Sequence, residues 1–247
     1  LFRSDANCVS LDMSKVTDLP VTLPWLSGNR IVYVAQDVNL TNANVVRGDS
    51  CSRLTLTPDG GDFRPMRAFA AHQAELTLDV DEYSFVMVPF NASVPAGTEV
   101  YVVTSELGLE LTDTILAHTP VVIKGQGTVT IKGSGNVSYR SLALSAMFRG
   151  VYVESSRRIG DYVLDCQDGR WGFRRITSAT VLNPFGVYAQ LSSKESFIPL
   201  QGDVLKVDLF TRPKAEQTVY DLMGRKVVGG NLSPGIYIIN GRKVVVR

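Results

Sequence analysis

The sequence predicts an all-β fold, and three observations carry that expectation. Short runs rich in Val, Ile, Tyr and Thr recur along the 247 residues, separated by clusters of Gly, Pro, Asn and Asp. Several runs alternate apolar and polar residues with period two, the pattern of a strand with one buried face. Two dipeptides that favour tight hairpin turns, Asp168-Gly169 and Asn240-Gly241, each lie between two such runs.

Taken in order, Ile31-Val-Tyr-Val34 follows the turn residues Ser27-Gly28-Asn29 and reads as a strand. Leu54-Thr-Leu-Thr57 alternates and stops at Pro58-Asp-Gly-Gly61. Ala68-Phe-Ala-Ala-His-Gln-Ala-Glu-Leu76 is rich in good helix formers. It is short, however, with Pro65 just upstream and the alternating Leu76, Leu78 and Val80 just downstream, so a strand or irregular link is expected there. Glu99-Val-Tyr-Val-Val103 follows the turn Pro95-Ala-Gly97. Val121-Val-Ile123 and Val129-Thr-Ile131 flank Gly125-Gln-Gly127, which predicts a hairpin. Tyr162-Val-Leu164 and Trp171-Gly-Phe173 predict a second, around Asp168-Gly169. Val187-Tyr-Ala189 follows Pro184-Phe-Gly186. Gly235 to Ile239 and Arg242 to Val246 predict the last hairpin, around Asn240-Gly241. The Pro/Gly turns recur at unequal spacing, which reads as repeated turn chemistry and not as a solenoid.

Length suggests one large or two small domains, long enough to bury a core without staples. A boundary near Gln201-Gly202 is expected. Residues 1–200 would form a β-sandwich with an N-terminal lead-in over residues 1–45, and residues 201–247 a small β-hairpin or Ig-like tail. Charge agrees with that division. Residues 212–247 hold seven Lys/Arg and two Asp/Glu, a net of +5, which leaves −4 for residues 1–211 of a chain that is +1 overall. No aromatic-and-basic recognition motif accompanies the basic tail, so nucleic acid is not an expected partner. No apolar run of about 18 residues is present, so no transmembrane segment is expected. Leu1 to Asn7 lack the layout of a signal peptide, which places any such signal outside this sequence.

Cys8, Cys51 and Cys166 stand far apart without a C-x-x-C pair, and His72 and His118 are isolated, so neither a metal site nor a cofactor is expected. A Cys8–Cys51 disulfide is compatible with an exported chain. Paired carboxylates of a glycosidase could come from Glu106, Glu110 and Asp113 or from Asp79, Asp81 and Glu82. Both groups read better as solvated loops between strands, and no Gly-x-Ser-x-Gly elbow occurs. Carbohydrate binding is the stronger alternative, because lectin-like modules stack sugar faces on exposed aromatics. Trp171, Trp25, Tyr188 and Tyr139 are the candidates, with Trp171 foremost because it sits at a hairpin mouth.

The chain end reads Val219-Tyr-Asp-Leu-Met-Gly-Arg-Lys-Val227, then Leu232-Ser-Pro-Gly-Ile-Tyr-Ile-Ile-Asn-Gly-Arg-Lys-Val-Val-Val-Arg247. In motif and spacing it resembles the type A C-terminal sorting domain of exported Bacteroidetes proteins, though residues 203–218 supply fewer upstream strands than that family has. Cys51-Ser-Arg-Leu-Thr-Leu-Thr57, Gly61-Asp-Phe63, Arg67-Ala-Phe-Ala70, Val86-Met-Val-Pro-Phe90, Trp171-Gly-Phe-Arg-Arg-Ile176 and Pro184-Phe-Gly-Val-Tyr188 resemble a β-rich module of large surface proteins in the same phylum. Leu11-Asp-Met-Ser14 resembles the last turn of a leucine-rich or similar repeat array. These resemblances imply a non-enzymatic module, adhesin-like or structural, secreted or held at the outer-membrane surface of a Gram-negative bacterium. Its partners would be a glycan or another surface protein, and the export machinery of type IX secretion through residues 219–247.

Overall fold

The structure, a computed structural model, describes residues 8–139 and 147–200, together with the backbone of residues 219–221, 226–227, 235–239 and 242–246. It is all-β. The chain divides into two compact units, Leu1–Gly202 and Asp203–Arg247. The first holds β1 (Ser10–Asp12), β2 (Ile31–Val34), β3 (Val45–Arg47), β4 (Ser50–Leu56), β5 (Phe69–Val86), β6 (Asn91–Ser93), β7 (Glu99–Val103), β8 (Leu109–Thr112) and β9 (Thr114–Ile115). It continues with β10 (Val121–Val137), β11 (Phe148–Gly150), β12 (Ser155–Arg157), β13 (Tyr162–Gln167), β14 (Arg170–Arg175), β15 (Thr180–Leu182), β16 (Val187–Ala189) and β17 (Phe197–Pro199). The second unit holds β18 (Val219–Asp221), β19 (Lys226–Val227), β20 (Gly235–Ile239) and β21 (Arg242–Val246). Among the described residues the helical content is a single 3-10 turn, Pro58–Gly60, and no helix is long and apolar enough to cross a membrane.

One ten-stranded sheet organises the first unit. β1, β2 and β3 run parallel, each reached through a long excursion, so this part coils like a short solenoid. The unequal Pro/Gly spacing that argued against a solenoid lies outside this coil and does not report on it. β3 turns back into antiparallel β4, and β4 lies parallel to β5. β5 then pairs antiparallel with β10 along almost its whole length. β6 and β7 take the other edge of β10. A five-stranded antiparallel sheet, ordered β11-β16-β13-β14-β17, faces this ribbon, and β12 with β15 form a separate two-stranded sheet.

The structure corrects one expected hairpin. Gly125-Gln-Gly127 is not a turn but the middle of the 17-residue strand β10, paired throughout with β5. Farther along β10 glycine serves close approach: a Cβ on Gly133 would run into the Asn91 carbonyl oxygen of β6. Ala68 to Leu76 is strand, as its downstream alternation required. Asp79, Asp81 and Glu82, expected in a loop, also belong to β5. The Asp168-Gly169 hairpin is present as β13–β14, with positive φ at both residues (51° and 73°), which the tight turn demands. In the second unit β20 and β21 pair antiparallel with Ile239 opposite Arg242. Asn240-Gly241, the Gln201-Gly202 boundary and the side chains of the sorting-like tail lie outside the described residues.

Alternation along β5 changes phase twice, and each change has a cause. Phe69 and Ala71 are buried, then Ala74, Leu76, Leu78 and Val80, then Tyr83 and Phe85. The exposed doublet His72-Gln73 lies at a register shift opposite Gly133 and Gly135. The doublet Asp81-Glu82 coincides with a left-handed Glu82, φ 65°. Past that point the core face of the ribbon is carried by Tyr83 and Phe85. The Phe85 ring meets Phe148 at 5.4 Å and Phe173 at 5.9 Å, so aromatic edges join the two sheets. Deeper along the same core, Tyr152 Oη donates to the Val88 carbonyl at 3.1 Å and lies 2.6 Å from His118 Nδ1. Burial pushes the Tyr152 phenol well above its ordinary pKa.

All three cysteines are free thiols: Cys166 exposed, Cys8 half-buried and Cys51 buried. Desolvation pushes the Cys51 thiol from 9.0 up to about 11. At about pH 8 roughly one Cys51 in a thousand is then a thiolate. A disulfide-exchange reagent added to native protein is expected to titrate Cys166 at once and Cys51 only after denaturant. The same shift sets a pH dependence. Above 9.0 the unfolded thiol gives up its proton while the folded one keeps it, so the unfolded state binds fewer protons and stability falls with rising pH. The loss develops from pH 9 to about 11 and reaches about 2–3 kcal/mol at roughly 1.4 kcal/mol per unit. Urea midpoints of the native chain and Cys51→Ala across that range measure it, and the variant should show the shallower decline.

Candidate functional site

Strand alternation builds an aromatic wall. Trp171 and Phe173 are two apart on β14 and share a face, as do Tyr83 and Phe85 on β5. The two pairs meet rung by rung, Phe85 with Phe173 and Tyr83 with Trp171, the latter at 5.3 Å between ring centroids. Trp171 stands opposite Cys166, just after the β13–β14 turn, and stays half-buried. Its indole N–H donates to Glu82 Oε2 at 2.7 Å. Glu82 reaches that nitrogen from a left-handed backbone that a non-glycine residue adopts at a cost of about 1–3 kcal/mol, strain of a kind that clusters at functional sites. Lys124 Nζ lies 5.4 Å from the Tyr83 ring centroid and 4.0 Å from Glu99.

Beside this wall is a cleft of about 670 Å³. β5 forms one side, the Leu182 to Val187 segment another, and Thr57 to Asp59 close it below the end of β4. Its apolar lining includes Leu78, Phe85 and Val187, and its polar lining Thr77, Asp79, Thr128, Asp165, Asn183 and Asp59. Asp79 accepts the Thr128 hydroxyl at 2.7 Å, and Thr77 and Thr130 hydroxyls pair at 3.1 Å. Asp165 forms an ion pair with Arg174. An aromatic face beside hydroxyls and carboxylates suits an amphipathic ligand, apolar on one side and rich in hydroxyls on the other.

Of the four aromatic candidates, the structure brings Trp171 to the cleft and places the other three elsewhere. Trp25 packs against a second cluster that includes Met13, Leu26 and Val32, and its carbonyl accepts Arg30 at 3.1 Å. Tyr188 is buried beside Val163 and Ile176, with the Arg157 guanidinium 4.2 Å over its ring, so no sugar face can stack there. Tyr139 leans on Tyr152 at 6.3 Å and has Arg64 over it at 5.7 Å. Glu106, Glu110 and Asp113 lie in and around β8, outside the cleft lining. Asp81 accepts the Gln126 amide at 3.3 Å. Among the described residues no three His, Cys, Asp or Glu side chains group to hold a metal.

Tyr83, Asp59 and Asp165 belong to the cleft but were not candidates from sequence. A signal for Tyr83 existed: the apolar phase of β5 runs Leu76, Leu78, Val80 and resumes at Tyr83, so a break at Asp81-Glu82 was visible. No family model matches the chain, no curated protein is similar to it, and no solved structure matches its fold.

Proposed function

We propose that this chain is a non-enzymatic, exported cell-surface module that holds a glycan in the Trp171 cleft. One observation carries the reading: a half-buried indole is fixed at the cleft wall from two directions, by the Glu82 carboxylate at 2.7 Å and the Tyr83 ring at 5.3 Å. A pre-positioned ring of this kind loses little entropy on stacking against the C–H face of a sugar. The hydroxyl edge of the same sugar would meet Asp79, Thr128 and Asn183. Binding is favoured over hydrolysis because two of the three carboxylates lining the cleft are engaged. Asp165 is neutralised by Arg174 and Asp79 is held by Thr128, whereas a glycosidase needs one carboxyl that keeps its proton. The two facing sheets are read as a β-sandwich. The parallel coil β1–β3 supports the resemblance to the end of a repeat array, and the motif spacing of residues 219–247 supports export through a sorting-type tail at a Gram-negative surface.

The test is a glycan array followed by calorimetry. Saturable binding to one glycan class is expected, with Trp171→Ala weakening it roughly thirtyfold, the about 2 kcal/mol of an aromatic anchor. Glu82→Ala should weaken it less and shift indole emission in a Trp25→Phe background, whereas Glu82→Gln keeps an acceptor and should retain most affinity. Binding that is indifferent to Trp171→Ala would move the site elsewhere, and no binding to any class would remove the reading.

A further inference from the structure

We infer that the cleft selects its glycan by charge, taking sugars with free amino groups best, uncharged sugars less well, and uronate or sulfated sugars not at all. The inference rests on the glycan reading above and names the ligand class of that same site. Three carboxylates line the cleft, Asp59, Asp79 and Asp165, and no lysine, arginine or histidine is among the described lining residues. Arg174 neutralises Asp165. The Thr128 hydroxyl bonds Asp79 without cancelling its charge, and Asp59 is exposed with no partner among the described residues. Two negative charges therefore face the cleft uncompensated.

The surroundings keep that sign. Asp81 and Glu82 follow on the exposed edge of β5, satisfied by the neutral donors of Gln126 and Trp171. Lys124, the cation over Tyr83, already shares its charge with Glu99. A sugar ammonium lying over the indole would gain both the ring's attraction and the carboxylates'. A ligand carboxylate in the same place would meet two like charges and no donor cation. At separations near 4 Å in water each unit-charge interaction is worth about a fivefold change in affinity. The preference should shrink in raised salt, because the site is open to screening.

Calorimetry on the full 247-residue chain, with oligomers of glucosamine, N-acetylglucosamine and galacturonate in mildly acidic buffer, tests this. Glucosamine oligomers are expected to bind about fivefold or more tighter than the N-acetylated ones, and galacturonate not measurably. The Asp59→Asn/Asp79→Asn double variant, checked for native circular dichroism, should bring the first two together while Trp171→Ala weakens both. Galacturonate binding as tightly as the neutral oligomer, and lost with Trp171→Ala, would overturn charge selection and leave the glycan reading standing. A glucosamine preference unchanged in the double variant would overturn the role of these carboxylates. Failure of all three oligomers to bind would overturn charge selection, whereas the glycan reading falls only if the array also shows no class bound.

Discussion

Asn44→Ala is expected to lower the stability of the protein by about 3–5 kcal/mol, more than an ordinary surface or loop substitution. Asn44 is 3% exposed at the end of the excursion that enters β3. Its Nδ2 donates to the Gly28 carbonyl at 2.8 Å and the Thr55 carbonyl at 3.0 Å, and its Oδ1 accepts the Thr55 N–H at 2.7 Å. Its own backbone N–H and C=O bond Arg53 and Val32. One side chain thus ties the turn before β2 to the end of β4. Truncation takes the side-chain partner from three backbone groups in part-buried bonds, each worth about 1–3 kcal/mol before relaxation. The backbone adds to this, for Asn44 has φ 60°, where alanine is strained and glycine is not. Asn44→Gly should therefore recover about 1 kcal/mol of the loss, which separates the two contributions. Asn44→Asp keeps the acceptor but sets a carboxylate against two carbonyls, and should cost at least as much as alanine. Denaturant unfolding measures the series, and an alanine variant within 1 kcal/mol of the parent would contradict the account.

Asn29 does the same work one turn away. Fully buried, it donates to the Thr57 and Gly61 carbonyls and accepts the Thr57 N–H at 2.9 Å. Together the two asparagines hold the parallel coil to the Thr55 to Gly61 segment by polar bonds, beside the hydrophobic packing of Ile31, Tyr33 and Val46 with Leu54 and Leu56. Neither was legible in the sequence. Ser27-Gly28-Asn29 reads as a turn because Gly and Asn favour turns, and nothing local distinguishes an asparagine that bonds its neighbours from one that bonds a segment 28 residues away.

What the sequence did reveal depended on the range of the interaction. Asp168-Gly169 specifies its hairpin through two local φ angles, so the turn, and with it the position of Trp171, was predictable. Gly125-Gln-Gly127 carries the same local signal and means the opposite. Its pairing with Val80, Asp81 and Glu82 is non-local, and it overrides turn propensity. The aromatic candidates divide in the same way. All four have the composition of a stacking residue, yet Tyr188 is capped by Arg157 from another strand and Trp25, half-buried like Trp171, packs on the parallel coil away from the cleft. Which ring remains available depends on partners distant in sequence, and composition is silent on those. Length and alternation, by contrast, suffice to establish an all-β chain.

Phe85→Ala should cost about 3–5 kcal/mol and, unlike other core truncations of that size, should also disturb the cleft. Phe85 is 7% exposed and joins β5 to the facing sheet, its ring within 6 Å of both Phe148 and Phe173, which meet each other at 5.6 Å. Removing the ring opens a void among aromatic neighbours that stiff paired strands can close only in part. The consequence reaches the site because Phe85 also lines the cleft, two residues from Tyr83, which carries Trp171. Indole emission in a Trp25→Phe background should therefore shift in Phe85→Ala even where the protein is fully folded. Phe69→Ala is the matched control. Phe69 is 2% exposed at the other end of β5, where it meets Tyr33 at 6.5 Å, and its loss should cost comparable stability without moving that emission. If both variants leave the emission unchanged, the Phe85–Phe148–Phe173 contact stabilises the core but does not hold the wall. In that case Glu82, from its strained position on the ribbon, would orient Trp171 without it.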